Sequence, residues 1–145
     1  MPLKLTAPIR HEFFLTESDA LFGNEGDPSR IEVIQALQDA IERRNQFWAE
    51  FRTKIDPEGN DREVIQNFPA EVLKRIEVFL TLASCNLLGR DGKKDAFRFA
   101  NGRLDMTENE FQVAWGMLMP ETADEIHKKV LEVNAIWDPK GVRSG

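Results

Sequence analysis

The chain has 145 residues, 41% of them hydrophobic, which suits a single globular domain over 1–145 with a buried core. Its formal net charge of −6 argues against nucleic acid as the principal partner, because phosphate binding needs a basic surface. The single cysteine, Cys85, rules out an internal disulfide framework or a cysteine-built zinc site, and the near-apolar run Val78–Leu88 is too short to span a bilayer.

Residues 1–15 read as an extended N-terminal segment: Leu3-Lys4-Leu5-Thr6 alternates, Pro8 opposes helix, and Ile9, His11, Phe13 and Leu15 share one side. No cationic-then-apolar leader opens the chain, so a cytoplasmic location is expected. Thr16-Glu17-Ser18-Asp19 caps a short helix that runs through Phe22 and ends at Gly23, with Asn24-Glu25-Gly26 as loop. Asp27-Pro28-Ser29 then opens a long helix over 29–54, along which Ile34, Leu37, Ile41, Trp48, Phe51 and Ile55 form a stripe at helical spacing. Asp56-Pro57-Glu58-Gly59-Asn60-Asp61 breaks that helix. It is no calcium loop, because the positions that need Gly and Glu hold Asp61 and Asn67.

From Pro69 to just before Gly89 a second long helix is predicted, with Val72, Ile76, Phe79, Leu80, Ala83 and Leu87 facing inward. Its second half is apolar nearly all round, so it is expected to be the central helix, with Cys85 buried in it. Asn101-Gly102, flanked by Phe97–Ala100 and Arg103–Met106, predicts a type I′ hairpin over 97–106. In that register Phe97, Phe99, Leu104 and Met106 share one face, and Arg98 faces Asp105 on the other. Thr107-Glu108-Asn109-Glu110 is a capping box that starts a helix carrying Phe111, Ala114, Trp115 and Leu118. Met119-Pro120 marks a break. A final helix from Pro120 or Thr122 carries Ala123, Ile126, Val130, Leu131 and Val133 to Asn134, and 139–145 is a frayed tail. The expected class is α+β, predominantly helical, with about four main helices and a small antiparallel sheet made of the N-terminal segment and the 97–106 hairpin.

Catalytic and metal-binding patterns do not emerge. His11 lies on a predicted strand and His127 on a predicted polar helix face, with no His-x-x-x-His pair or comparable spacing. Gly23-Asn24-Glu25-Gly26 and Gly89-Arg90-Asp91-Gly92-Lys93 lack the spacing and the Lys-Ser/Thr ending of a phosphate loop. Ser84-Cys85 has no base in register. The expectation is a non-enzymatic chain with no catalytic, cofactor or metal residues.

Aromatic and charged residues point instead to contacts with protein. Ten Phe and three Trp occur without Tyr, and most fit core stripes; Phe14, Phe47 and Trp137 do not, and read as exposed contacts or satellite core positions. Arg90, Lys93, Lys94, Arg98 and Arg103 make a basic stretch, followed by Asp105, Glu108, Glu110, Glu121, Asp124 and Glu125, with no Lys or Arg between Arg103 and Lys128. Such an abutment reads as solvated surface or as a complementary docking surface for copies of the chain or another protein. Candidate interaction residues are Trp48 and Phe51 on the long helix, Arg98 and Arg103, and the acidic group Glu121, Asp124 and Glu125.

Phe97-x-Phe99, then Met106-Thr107-Glu108-x-Glu110-Phe111-x-x-Ala114-Trp115-Gly116-x-Leu118, then Pro120, Glu125-Ile126 and Val130-Leu131-x-Val133-Asn134, resembles small tailed-phage morphogenesis proteins of the tail assembly chaperone type. The resemblance covers residues 95–138. It implies a non-enzymatic, mainly helical protein in the host-cell cytoplasm that binds the tape-measure protein and keeps its hydrophobic segments soluble. A homo-oligomer is expected, without membrane or nucleic-acid partners. Alternatives are a structural virion component, such as a connector or tail subunit, and a small acidic effector that inhibits a protein partner.

Overall fold

The computed structural model describes residues 8–22, 28–55, 69–87 and 97–138. Expectations for residues 1–7, the Gly23–Gly26 loop, the break after Asp56, the stop at Gly89 with the basic residues after it, and the tail over 139–145 lie outside them. Within them the chain runs β1 (His11–Phe14), α1 (Thr16–Phe22), β2 (Arg30–Val33), α2 (Gln38–Ile55), α3 (Ala70–Thr81), β3 (Leu82–Leu87), β4 (Phe97–Phe99), a 3-10 turn (Gly102–Leu104), α4 (Glu108–Trp115), α5 (Pro120–Val133) and a last 3-10 turn (Ala135–Trp137). The class is α+β and predominantly helical. One antiparallel sheet has the order β1-β2-β3-β4.

The sheet is built differently from the expectation. β1 pairs with β2, His11 opposite Val33 and Phe14 opposite Arg30, and not with residues 97–106. The long helix expected from residue 29 begins only at Gln38. Arg30-Ile31-Glu32-Val33 alternates instead: Ile31 and Val33 are fully buried, while Arg30 pairs with Glu12, and Ser84 Oγ donates to Glu32 at 2.7 Å on the outer face. Two β-branched residues at a spacing of two gain more from a half-buried pleat than from a helix turn. Local helical spacing continues through Ile34 and Leu37, which hides this switch in the sequence.

The second long helix also ends early. α3 stops at Thr81, and Leu82 turns to ψ 110°, so helix passes into strand without a loop. Cys85 and Leu87 are buried, whereas Ser84 and Asn86 face outward, where Asn86 Oδ1 accepts Arg30 N–H at 2.8 Å. Register shifts between Glu32 and Val33, leaving Ala83 as an extra residue, which accounts for buried Leu82 and Ala83 side by side. Cys85 is therefore buried in a central strand and not in a helix, and burial pushes its thiol pKa well up.

The hairpin over 97–106 does not form. β4 pairs with β3, Phe97 opposite Leu87 and Phe99 opposite Cys85, and 102–104 is a 3-10 turn. A type I′ turn needs positive φ at two residues; Gly102 has φ +54° but Asn101 has φ −128°. The Asp105 carboxylate accepts the Ala100 and Asn101 N–H groups at 2.8 and 3.0 Å, which closes the chain locally. Arg98 therefore registers with Asn86, not with Asp105.

The C-terminal helices follow the sequence closely. Thr107 Oγ1 accepts Glu110 N–H and the Glu110 carboxylate accepts Thr107 N–H, the reciprocal box that starts α4. Pro120 opens α5 at its first turn, where a missing N–H costs nothing. Phe111, Trp115, Ile126 and Val130 join Leu15, Ile31, Val33, Val78, Leu82, Cys85 and Leu87 in the main core between helices and sheet. A smaller cluster of Ala40, Ile76 and Leu80, with Phe47 against it, joins α2 to α3.

Candidate functional site

Two polar arrangements and one cleft concentrate the side-chain chemistry of the described residues. The first arrangement centres on Glu77, which is only 3% exposed. Its Oε2 accepts from Arg44 Nε at 2.7 Å, and its Oε1 lies 2.9 Å from His127 Nε2. The Arg44 guanidinium also lies over the Trp137 ring, 5.2 Å from its centroid. One carboxylate thus ties α2, α3 and α5 together. His127, expected on a solvated face, is half-buried in this contact. His11, by contrast, is exposed on edge strand β1, so the two histidines serve unrelated places in the fold.

The second arrangement is the buried carboxylate of Glu125. It accepts Glu17 N–H at 3.1 Å, Ser18 N–H at 3.0 Å and Ser18 Oγ–H at 2.6 Å. An anion placed against the N–H groups of a first helical turn satisfies donors that the helix itself cannot. Glu125 therefore pins α1 to α5. Asn134 does a similar task at the other end of α5, accepting Ala36 N–H at 2.7 Å and donating to Ile34 O at 3.2 Å.

The cleft, about 500 Å³, lies where α3 passes into β3. Ile34, Phe79, Leu80 and Leu82 line it together with residues 101–104, Leu80 and Leu82 being themselves buried. Gly102 is required there: a Cβ would stand 2.8 Å from Leu82 O, and its positive φ already disfavours other residues. Arg103 reaches over the rim and grips Asp39 with both Nη atoms, at 3.1 and 3.2 Å. That guanidinium holds the Asp39 carboxyl below its usual range. Arg10 also lines the cleft, donates to Ala100 O at 2.8 Å and pairs with Glu32 at 3.4 Å. Leu104, in the 101–104 wall, is 89% exposed.

The candidate interaction residues are dispersed. Trp48 is exposed on α2 and stacks on half-buried Phe51, centroids 6.2 Å apart at an interplanar angle of 16°. Arg103 stands at the cleft rim, whereas the Arg98 side chain lies outside the described residues. Of the acidic group, Glu121 is exposed in the first turn of α5, Asp124 pairs with Lys74, and Glu125 is turned inward against α1. Three neighbouring carboxylates on one helix thus have three different surroundings and do not form one acidic face. Of the off-stripe aromatics, Phe14 is half-exposed, Phe47 packs against the small cluster and Trp137 is buried. Leu104, Asp39 and the cleft they line were missed, since only the α3–β3 junction brings them together.

Among the described residues, no group of three or more His, Cys, Asp and Glu side chains is arranged to hold a metal, and no helix is long and apolar enough to cross a membrane. Comparison with protein-family models, curated proteins and solved structures finds no match to this chain.

Proposed function

We propose that this chain is a non-catalytic protein-interaction protein that takes hold of another polypeptide through the cleft at the α3–β3 junction. The observation that carries this reading is Leu104, an almost fully exposed leucine on the wall of an apolar cleft. Covering such a side chain is worth roughly 1.5–3 kcal/mol. A rim ion pair such as Arg103–Asp39 contributes little to stability in water but helps to select and orient a partner.

Combined with the resemblance over residues 95–138, this gives the specific reading: a phage tail assembly chaperone that shields apolar segments of the tape-measure protein in the host-cell cytoplasm and self-associates. The inhibitor reading is less well supported, because Glu125, one of its three carboxylates, is buried in an intramolecular contact. The test is co-expression with a phage tape-measure protein. The tape-measure protein should stay soluble and co-purify with the wild type, and be lost with Leu104→Asp while the thermal midpoint of the chain itself is unchanged. Equal capture by Leu104→Asp, or no capture by the wild type, would contradict the proposal.

A further inference from the structure

We infer that Asn101 is a site of spontaneous covalent modification: it deamidates to aspartate or isoaspartate when the 100–105 turn opens, and the closed turn protects it. This goes beyond the polypeptide-binding reading of the cleft and does not depend on it. Asn101 is exposed, and it is the one asparagine of the chain that glycine follows. The glycine matters chemically, because without a Cβ its backbone nitrogen is open to approach from the preceding side chain. That nitrogen, on giving up its proton, attacks the Asn101 carboxamide carbon. A C–N bond forms, the bond to Nδ2 breaks, and ammonia leaves with the proton. Water then opens the five-membered succinimide at either carbonyl. The balance is water consumed and ammonia released, with nothing oxidised or reduced.

The folded turn holds the reacting atoms apart. Ring closure needs Gly102 N and Asn101 Cβ near eclipsed about the Cα–C bond, but at the Asn101 ψ of 27° they stand on nearly opposite sides. Rotating that bond would pull on every contact that fixes the turn. Leu104 N–H donates to Asn101 O at 3.1 Å, and Asp105 N–H donates to Gly102 O at 3.0 Å. The Asp105 carboxylate accepts the Ala100 and Asn101 N–H groups, and Arg10 donates to Ala100 O. Gly102 is buried beside the Leu82 carbonyl, and Arg103 is tied to Asp39 on α2. Deamidation therefore proceeds from the open turn, at a rate set by how often the turn opens.

The product acts on the turn that guarded it. Aspartate at position 101 adds a carboxylate near that of Asp105, which already accepts the backbone N–H of residue 101, and like charges repel. Isoaspartate also carries the main chain through the side chain, and the extra methylene displaces Gly102 from its fitted place beside Leu82. Each change loosens the turn, so the step is one-way.

Peptide-mapping mass spectrometry of the full chain, aged in mildly alkaline buffer, tests this by following the mass gained when NH2 gives way to OH at Asn101. In guanidinium chloride, where the chain is unfolded, Asn101 should be lost faster than any other asparagine. In native buffer its loss should be slower by about tenfold or more, the turn being open only part of the time. Asp105→Ala removes the carboxylate clamp, and Arg103→Ala, which releases only the tie to Asp39, serves if the first variant fails to fold by circular dichroism. A folded variant of either kind should speed the native loss several-fold toward the unfolded rate. Equal rates in native buffer and denaturant, another asparagine reacting first in denaturant, or folded variants that keep the wild-type native rate would overturn the inference. No partner is present in any arm, so these results leave the cleft reading untouched.

Discussion

Glu77 on α3 and Leu104 beside the α3–β3 cleft belong to regions of opposite design. Around Glu77 the charged groups are turned inward: Arg44 and His127 share its carboxylate, and the Trp137 ring lies under Arg44. At the cleft, by contrast, Leu104 faces water while Arg103 and Asp39 pair with each other. Burying charge costs free energy unless every partner is in place, so the Glu77 centre fixes how α2, α3 and α5 pack. Exposing apolar surface leaves free energy to be gained on contact with something else. The Glu77 centre thus helps to specify the fold, whereas the cleft leaves a large apolar side chain in water.

Substitutions that unbalance this contrast should separate the two regions. The largest effect is expected for Glu77→Ala, which leaves Arg44 and His127 without their shared carboxylate. Because both are partly exposed and regain water, the loss should be about 2–3 kcal/mol, below the full penalty of a wholly buried pair, measured by urea denaturation. Gly102→Ala should cost about 2 kcal/mol, from positive φ and the close Leu82 carbonyl together, and should also distort the cleft wall. A loss below about 0.5 kcal/mol would mean that the wall yields freely. Thr107→Ala removes one half of the capping box and should cost about 1 kcal/mol, with no effect on partner capture.

The smallest effect is a pH dependence at the turn. Hydrogen bonds from the Ala100 and Asn101 N–H groups hold the Asp105 carboxyl below its ordinary value of 3.8. A depressed folded-state pKa stabilises above the unfolded value, and that contribution is lost as pH falls through the folded one. Asp105→Asn should therefore lower stability slightly at neutral pH and flatten the acid limb below about pH 4, as followed by thermal melts. An unchanged acid limb would show that the turn is held by its backbone alone.

The elements legible in the sequence are those determined by short-range chemistry. Thr16 opening α1, the Thr107–Glu110 box and Pro120 opening α5 act within one helical turn, and all three appear where expected. β2 and β3 were not legible because their residues also satisfy a helical period: Ile34 and Leu37 prolong the stripe of α2, and Val78–Leu88 is apolar but for Thr81, Ser84 and Asn86. Only the pairing of Ile31 with Cys85, across more than fifty residues, makes strands of them. Asn101-Gly102 misled for a related reason. Gly102 took the positive φ that its sequence allows, but the Asp105 carboxylate closed the turn where a second strand was expected. The cleft inherits this blindness, being formed at the junction where α3 becomes β3.

The most direct test of the account is hydrogen–deuterium exchange of the chain alone and in complex with co-expressed tape-measure protein. The account predicts new protection at residues 79–83 and 101–104, with none around Glu77–His127. Protection confined to other surfaces, leaving the cleft as open as in the free chain, would contradict it.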